Sequence, residues 1–294
     1  MQLDQALDLY VATNPRITSR DTVRRYRTAT NNLSRHLGRP ATTADLSPDC
    51  LIALIKARQR TGHVAAGTIR GEAEKLCVIA RWWASYTGQP EPTIALPPPA
   101  ETEPIAWTPS EIRQLLRAAK ASRRRVGHVP ASIFWPALVG VAYDTGERVN
   151  AIHQLEADDF DLARLRVRFR RETRKGRRTD KSAPLSRETA ASVRRLIAER
   201  PSAPFAPIKV ASLYPSLRWL LYDAGLPADR CRKFHCLRRT HATHVHLQGG
   251  DATASLGHTN PEVTRRSYID RSQIPQVLPS RAGLWSRLWR RWAG

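Results

Sequence analysis

Residues 234–243 read Phe-His-Cys-Leu-Arg-Arg-Thr-His-Ala-Thr. His235 and Arg238 are three positions apart, so on a helix they share one face and can reach a single anion together, the guanidinium through a bidentate bond and the imidazole by proton exchange. Taken alone, the segment also suits a plain cationic helix face lying on DNA. Cys231, His235, Cys236, His241, His244 and His246 crowd the same region. A CxxxHC string followed by scattered histidines lacks the ligand spacing of a structural zinc site, so no metal is expected.

Two further stretches lean toward the same chemistry. Upstream lies Asp144-Thr145-Gly146-Glu147-Arg148, where glycine can end one helix and leave Arg148 in the first turn of the next, beside a positive helix terminus. By itself such an arginine is more often solvated or salt-bridged. Downstream, Leu256-Gly257-His258 is followed by Asn260-Pro261 and then by Arg265-Arg266-Ser267-Tyr268. Asn260 and Pro261 announce a short helix that returns Tyr268 toward the loop holding His258. Read singly, that tyrosine is more often a packed core residue than a nucleophile.

Composition narrows the partner. Lys and Arg number 48 against 26 Asp and Glu, leaving +22 at pH 7, and 41% of the 294 residues are apolar. A foldable chain with that much positive charge calls for a polyanion, nucleic acid before an acidic membrane face. The first ten residues hold two Asp and no Lys or Arg, unlike a signal peptide. Residues 126–143 are uncharged, but Pro130, Pro136, His128 and Gly140 interrupt them, so a buried core helix is expected there. Four cysteines (Cys50, Cys77, Cys231, Cys236) form no disulfide framework, which fits a reducing, cytoplasmic setting.

The pattern of elements predicts two domains. Residues 1–90 read as helices: Leu3, Ala6, Leu7 and Tyr10 recur at helical spacing, as do Val23, Tyr26, Leu33 and Leu37, with Arg24, Arg25 and Arg27 elsewhere. A third helix starts at Ser47-Pro48, and a fourth carries Ile69, Ala73, Leu76, Ile79 and Trp83 as its apolar stripe. A proline-rich linker, residues 91–106, cannot sustain a helix. Thr108-Pro109-Ser110-Glu111 then combines an N-cap, a first-turn proline and a capping-box glutamate. Leu165, Val167 and Phe169 alternate with Arg164, Arg166, Arg168 and Arg170 as a half-buried strand, Lys175-Gly176 turns the chain, and a return strand ends near 183–185. Helices are expected again over 187–199 and 213–224. The fold class expected is mainly α with a small antiparallel β-sheet: a helical domain (1–90), the linker, a mixed α/β domain (107–283) and an amphipathic tail (284–294).

Arg148, His235 with Arg238, and His258 followed ten residues later by Tyr268 resemble the signature of the tyrosine recombinase (phage integrase) family in order and neighbours. The strings TGER, HCLRRTHAT and LGH...RRSY are similar to its arginine, HxxR and LGH-to-tyrosine boxes. The resemblance implies a helical core-binding domain joined to a catalytic domain that cleaves and rejoins DNA through a 3′-phosphotyrosine and a Holliday junction, with no metal, ATP or other cofactor. Tyr268 is then the nucleophile, Arg148 and Arg238 clamp the phosphate, His258 donates a hydrogen bond and His235 assists proton transfer.

The family's hairpin lysine, the general acid, maps to Lys175, with Lys181 as runner-up. Arg24, Arg25, Arg27, Arg70, Arg174, Arg177, Arg178 and Arg239 are expected to bind DNA, most of them simply tracking phosphates. Two departures stand out: Ala151 occupies the place of a frequent glutamate, whose role passes to Glu147 or Glu156, and the stretch from Arg238 to His258 is short. In the tail, Leu284, Trp285, Leu288, Trp289 and Trp292 share a helical face. The resemblance assigns that face to docking on a neighbouring protomer, against packing at home or adsorption to a membrane.

The partners implied are double-stranded DNA and a homo-tetramer in the synaptic complex, monomer or weak oligomer when free, with no membrane and a nucleoid-associated location. With no arm-binding domain seen ahead of Leu3, the chain reads as a simple recombinase. Rival readings are a type IB topoisomerase and a non-catalytic DNA-binding protein of the same fold.

Overall fold

The computed structural model describes residues 1–99, 103–174, 179–206 and 208–275, apart from the side chain of Arg230. Lys175, Arg177, Arg178 and the tail 284–294 therefore lie outside the described residues. The chain divides into two compact units, Met1–Thr102 and Glu103–Gly294.

Four helices build the first unit: α1 (Leu3–Thr13), α2 (Arg20–Leu37), α3 (Pro48–Arg60) and α4 (Ala66–Thr87). The Ser47 hydroxyl accepts the Cys50 amide at 3.3 Å and Pro48 fills the first turn, so α3 starts where the sequence places it. Helix α4 packs against the other three. Its Leu76, Ile79 and Ala80 meet Leu3, Leu7, Leu33, Leu51 and Leu54 in one apolar core, where each fully buried leucine contributes about 1.5–3 kcal/mol. Ile94, in the proline-rich stretch, is buried against the same core. The chain beyond α4 is thus anchored on the first unit rather than free.

The second unit runs α5 (Pro109–Ala121), β1 (Arg125–Val126), β2 (Val129–Pro130), α6 (Ala131–Thr145), α7 (Val149–His153), β3 (Phe160–Asp161), β4 (Arg166–Phe169), β5 (Lys181–Pro184), α8 (Arg187–Glu199), α9 (Val210–Asp223), α10 (Phe234–Leu247), α11 (Ala252–Leu256) and α12 (Pro261–Ser267). Helix α5 opens with the complete Thr108–Glu111 capping box. Helix α6 is mostly apolar and mostly buried, packed by α5, α8 and α10. At Gly140 the α8 side chain of Thr189 comes so close that a Cβ would collide with it. No helix among the described residues is long and apolar enough to cross a membrane.

Strands β3, β4 and β5 form an antiparallel sheet in that order, with Phe169 opposite Lys181 and Arg166 opposite Pro184. Val167 and Phe169 are buried while Arg166 and Arg168 face solvent, as the alternation predicts. Leu165 departs from the expected strand. It takes a left-handed φ of 54° to close the short turn from β3, and its carbonyl accepts the Leu185 amide at 2.8 Å. The β1–β2 ribbon has two-residue strands, too short to leave a period in the sequence.

Candidate active site

The buried helix α6 stops at Gly146, whose φ of 63° only glycine adopts without strain. A Cβ at this position would also strike His241 and Leu256. The chain then turns outward, and Arg148 becomes the N-cap residue of α7. Its guanidinium is half-buried and has no hydrogen-bond or ion-pair partner among the described residues. Its charge nevertheless reaches both His235 and Arg238.

Helix α10 presents His235 and Arg238 on one face, as their spacing predicts. Arg238 is only 1% exposed, which demands partners for its fork of donors. It donates to the Gly146 carbonyl, to the Leu256 carbonyl at 3.2 Å and to His258 Nε2 at 2.9 Å, and lies 3.8 Å from the Glu147 carboxylate. Its Nε is buried with no partner among the described residues. His235 is exposed, yet desolvation by the protein packed beside its ring and the cations Arg239, Arg238 and Arg148 push its pKa down to about 4, so it is neutral at physiological pH.

The third stretch completes the cluster. The Asn260 side chain caps α12 by accepting the Glu262 amide at 2.9 Å, with Pro261 in the first turn. The helix ends at Tyr268, 7% exposed. Its ring centroid lies 4.7 Å from that of His258 and 5.2 Å from that of His235, with the Arg238 guanidinium 5.3 Å from its centre. An arginine can only donate, so His258 Nε2 accepts from Arg238, and the ring's proton sits on Nδ1, 2.9 Å from the Thr264 hydroxyl. The short path from Arg238 to His258 thus delivers the imidazole directly onto the guanidinium.

Beneath this cluster lies Glu147, 4% exposed and surrounded by cations: Arg174 at 3.0 Å, Lys181 at 3.3 Å and Arg238 beyond. Burial would raise its pKa, but Lys181, Arg174 and Arg238 outweigh burial and hold it below the usual carboxylate range. The Lys181 ammonium also donates to the Thr145 carbonyl at 2.9 Å, and burial lowers its pKa against the pull of Glu147. Arg174, expected from the sequence to bind DNA, is 8% exposed and bound to Glu147. Its partner is 27 residues away, which no local pattern reveals. Ala151 is buried, and Glu156 pairs with Arg170 at 2.9 Å. Of the two carboxylates weighed as substitutes, Glu147 is the one among these cations.

The site therefore collects three remote stretches around one phenol, with a buried carboxylate below. Residues 106–273, more than half of the chain, match the family model described as the phage integrase family. The chain belongs to the phage integrase family. Among solved structures, this family member is similar to the Tn1549 transposon integrase in complex with transposon right end DNA, at 13% identity over 99% of each chain with a TM-score of 0.72. It is also similar to a lambda integrase dimer bound to a COC′ core site, at 16% identity over 95% of this chain and 99% of that one with a TM-score of 0.68. A lambda integrase tetramer bound to a Holliday junction matches at 16% identity over 94% of this chain and 79% of that one, with a TM-score of 0.69. At such identities the likeness shows the fold, mainly helical with a small antiparallel sheet, of the tyrosine recombinase type. No curated protein matches the chain.

Elsewhere in this integrase-family chain the predicted DNA-binding arginines differ in their surroundings. Arg24 pairs with Asp21 at 3.0 Å, Arg27 with Asp8 at 2.9 Å and Arg70 with Glu74 at 2.8 Å, while Arg25 is exposed. Arg239 is half-buried beside His235, with its Nε unpartnered among the described residues. The cysteines and histidines near α10 are separately engaged: Cys236 Sγ donates to the Ile105 carbonyl, His244 meets the Tyr143 hydroxyl and Cys231 is exposed. His241 Nδ1 donates to the Tyr143 carbonyl at 2.7 Å, leaving Nε2 to accept from Ser255 at 2.6 Å, and burial pushes its pKa down to about 4. No group of three such side chains is gathered for a metal among the described residues.

Proposed function

We propose that the protein is a site-specific DNA recombinase that cuts and rejoins double-stranded DNA through Tyr268. The phenol oxygen attacks the scissile phosphorus, the bond to the 5′-oxygen breaks, and a 3′-phosphotyrosine and a 5′-hydroxyl result. His235, neutral at physiological pH, takes the phenolic proton. Arg148 and Arg238 hold the non-bridging oxygens, fixed positive charge where negative charge grows. His258, bonded to Arg238, adds a hydrogen bond when its ring proton moves from Nδ1 to Nε2 as the phosphate takes over that arginine contact. The leaving oxygen takes a proton from a hairpin lysine: Lys175, outside the described residues, or Lys181, which reaches Glu147. Attack of a 5′-hydroxyl from a second duplex reverses the chemistry without ATP, and two such rounds pass through a Holliday junction in a homo-tetramer.

One observation carries this reading: the ring of Tyr268 touches His235, His258 and Arg238 within its own chain. Simple phosphate binding needs no phenol at that point. The test maps strand breaks on DNA flanking the protein's own gene. We expect cuts at one paired site, protein on the 3′ ends, four-way junction products, and none of these with Tyr268→Phe. Relaxation of any supercoiled plasmid points instead to a topoisomerase, and binding without breaks to a non-catalytic protein.

A further inference from the structure

Tyr268 ends a seven-residue helix, too short to hold its own conformation in water. Something outside α12 must fix the phenol. Upstream, the Tyr268 amide bonds the Thr264 carbonyl at 2.9 Å, and the Thr264 hydroxyl bonds His258. Downstream lies a network that the proposed chemistry leaves unused. The Thr243 hydroxyl, fully buried on α10, donates to the Tyr268 carbonyl at 3.3 Å and accepts the Asp270 amide at 3.0 Å.

The Asp270 carboxylate, 6% exposed, accepts from the Ala106 amide at 2.8 Å, the Ser272 amide at 3.0 Å and the Ser272 hydroxyl at 2.6 Å. Gln273 Nε2 bridges the Asp270 carboxylate and the Ala106 carbonyl, at 3.3 and 2.9 Å. Next to it, the Trp107 amide donates to Thr240 of α10 at 2.8 Å. One buried carboxylate therefore ties the main chain just past the tyrosine to Ala106, and one hydroxyl ties it to the helix carrying Arg238.

We propose that Asp270, acting with Thr243, is a positioning residue that holds Tyr268 in line with the phosphate clamped by Arg238. The proposal rests on Tyr268 as nucleophile. A carboxylate with these donors is strongly held, and removing it leaves the buried Ala106 amide unpaired. In-line attack tolerates little displacement: a misplacement of ~1 Å costs about 10²-fold in rate. Among the described residues neither Asp270 nor Thr243 pairs with a cation of the site, so DNA affinity is insulated from the change.

The test uses full-length protein and nicked duplexes tiled from the DNA flanking its gene, reading both the rate of covalent adduct formation at saturating protein and the Kd. Thr243→Val, isosteric without the hydroxyl, and Asp270→Ala should slow adduct formation about 10²-fold with Kd within about threefold. Thr243→Ser, which restores the hydroxyl, should recover most of the rate. A slow valine variant beside a fast serine variant supports the proposal even if Asp270→Ala fails to fold. Wild-type rates in both loss variants, a rate loss matched by lost affinity, or a serine variant as slow as valine overturns it. A wild type that forms no adduct refutes the phosphotyrosine reading itself, which separates the two failures.

Discussion

Arg238→Ala should lower the rate of covalent adduct formation on nicked duplex by about 10³-fold or more at saturating protein. Losing one preorganised donor to a developing oxyanion typically costs about 10²–10³ in rate, and here a whole guanidinium fork is lost. The same side chain braces the site: it bonds the Gly146 and Leu256 carbonyls and His258 Nε2, so its removal frees the imidazole as well. Arg238→Lys keeps the charge but cannot bridge these partners with a planar fork, and should remain about 10²-fold slow. Rates measured after saturation remove the effect of weakened binding. A rate within tenfold of wild type for Arg238→Ala would mean that the phosphate is held elsewhere.

Glu147→Gln should be the most destabilising single change in the site. It removes the negative charge shared by Arg174, Lys181 and Arg238, whose side chains are 6%, 15% and 1% exposed. Breaking a buried ion pair by losing one partner costs about 3–5 kcal/mol, because the remaining charge stays buried without compensation. For a unit of this size that lowers Tm by roughly 6–20 °C. DNA, which supplies the missing negative charge, should recover more Tm in this variant than in wild type.

The pH dependence follows from the same carboxylate. Its pKa is depressed in the fold, so its stabilisation is complete above the ordinary glutamate value and is lost as pH falls through the folded one. Wild type should carry this acid-side loss and Glu147→Gln should lack it. A Tm within about 2 °C of wild type would show that the cations need no internal counter-charge.

The elements most legible in the sequence were those whose signal is local. Helix α3 announces itself through Ser47-Pro48, α5 through Thr108 and Glu111, and β4 through its alternating arginines. The juxtaposition of Tyr268 with His235, His258 and Arg238 came from the family resemblance, since spacing alone leaves each with a duller explanation. What stayed hidden depends on distant partners. Arg174 sits in a cationic hairpin and reads as a surface residue, and only Glu147, brought from the end of α6, buries it. Asp270 has a local role that its sequence allows, capping the turn 271–273 through the Ser272 amide, but its other partner, Ala106, is 164 positions away. Leu165 keeps the strand alternation, yet the turn from β3 takes it into the left-handed region.

The central claim is that Tyr268 becomes bonded to the 3′ end of the cut strand. Digesting the trapped protein–DNA adduct with trypsin and sequencing the DNA-linked peptide by mass spectrometry tests it directly. The expected product is the segment between Arg266 and Arg271, carrying a 3′-phosphate ester on Tyr268. DNA attached at any other residue, or through its 5′ end, would contradict the account.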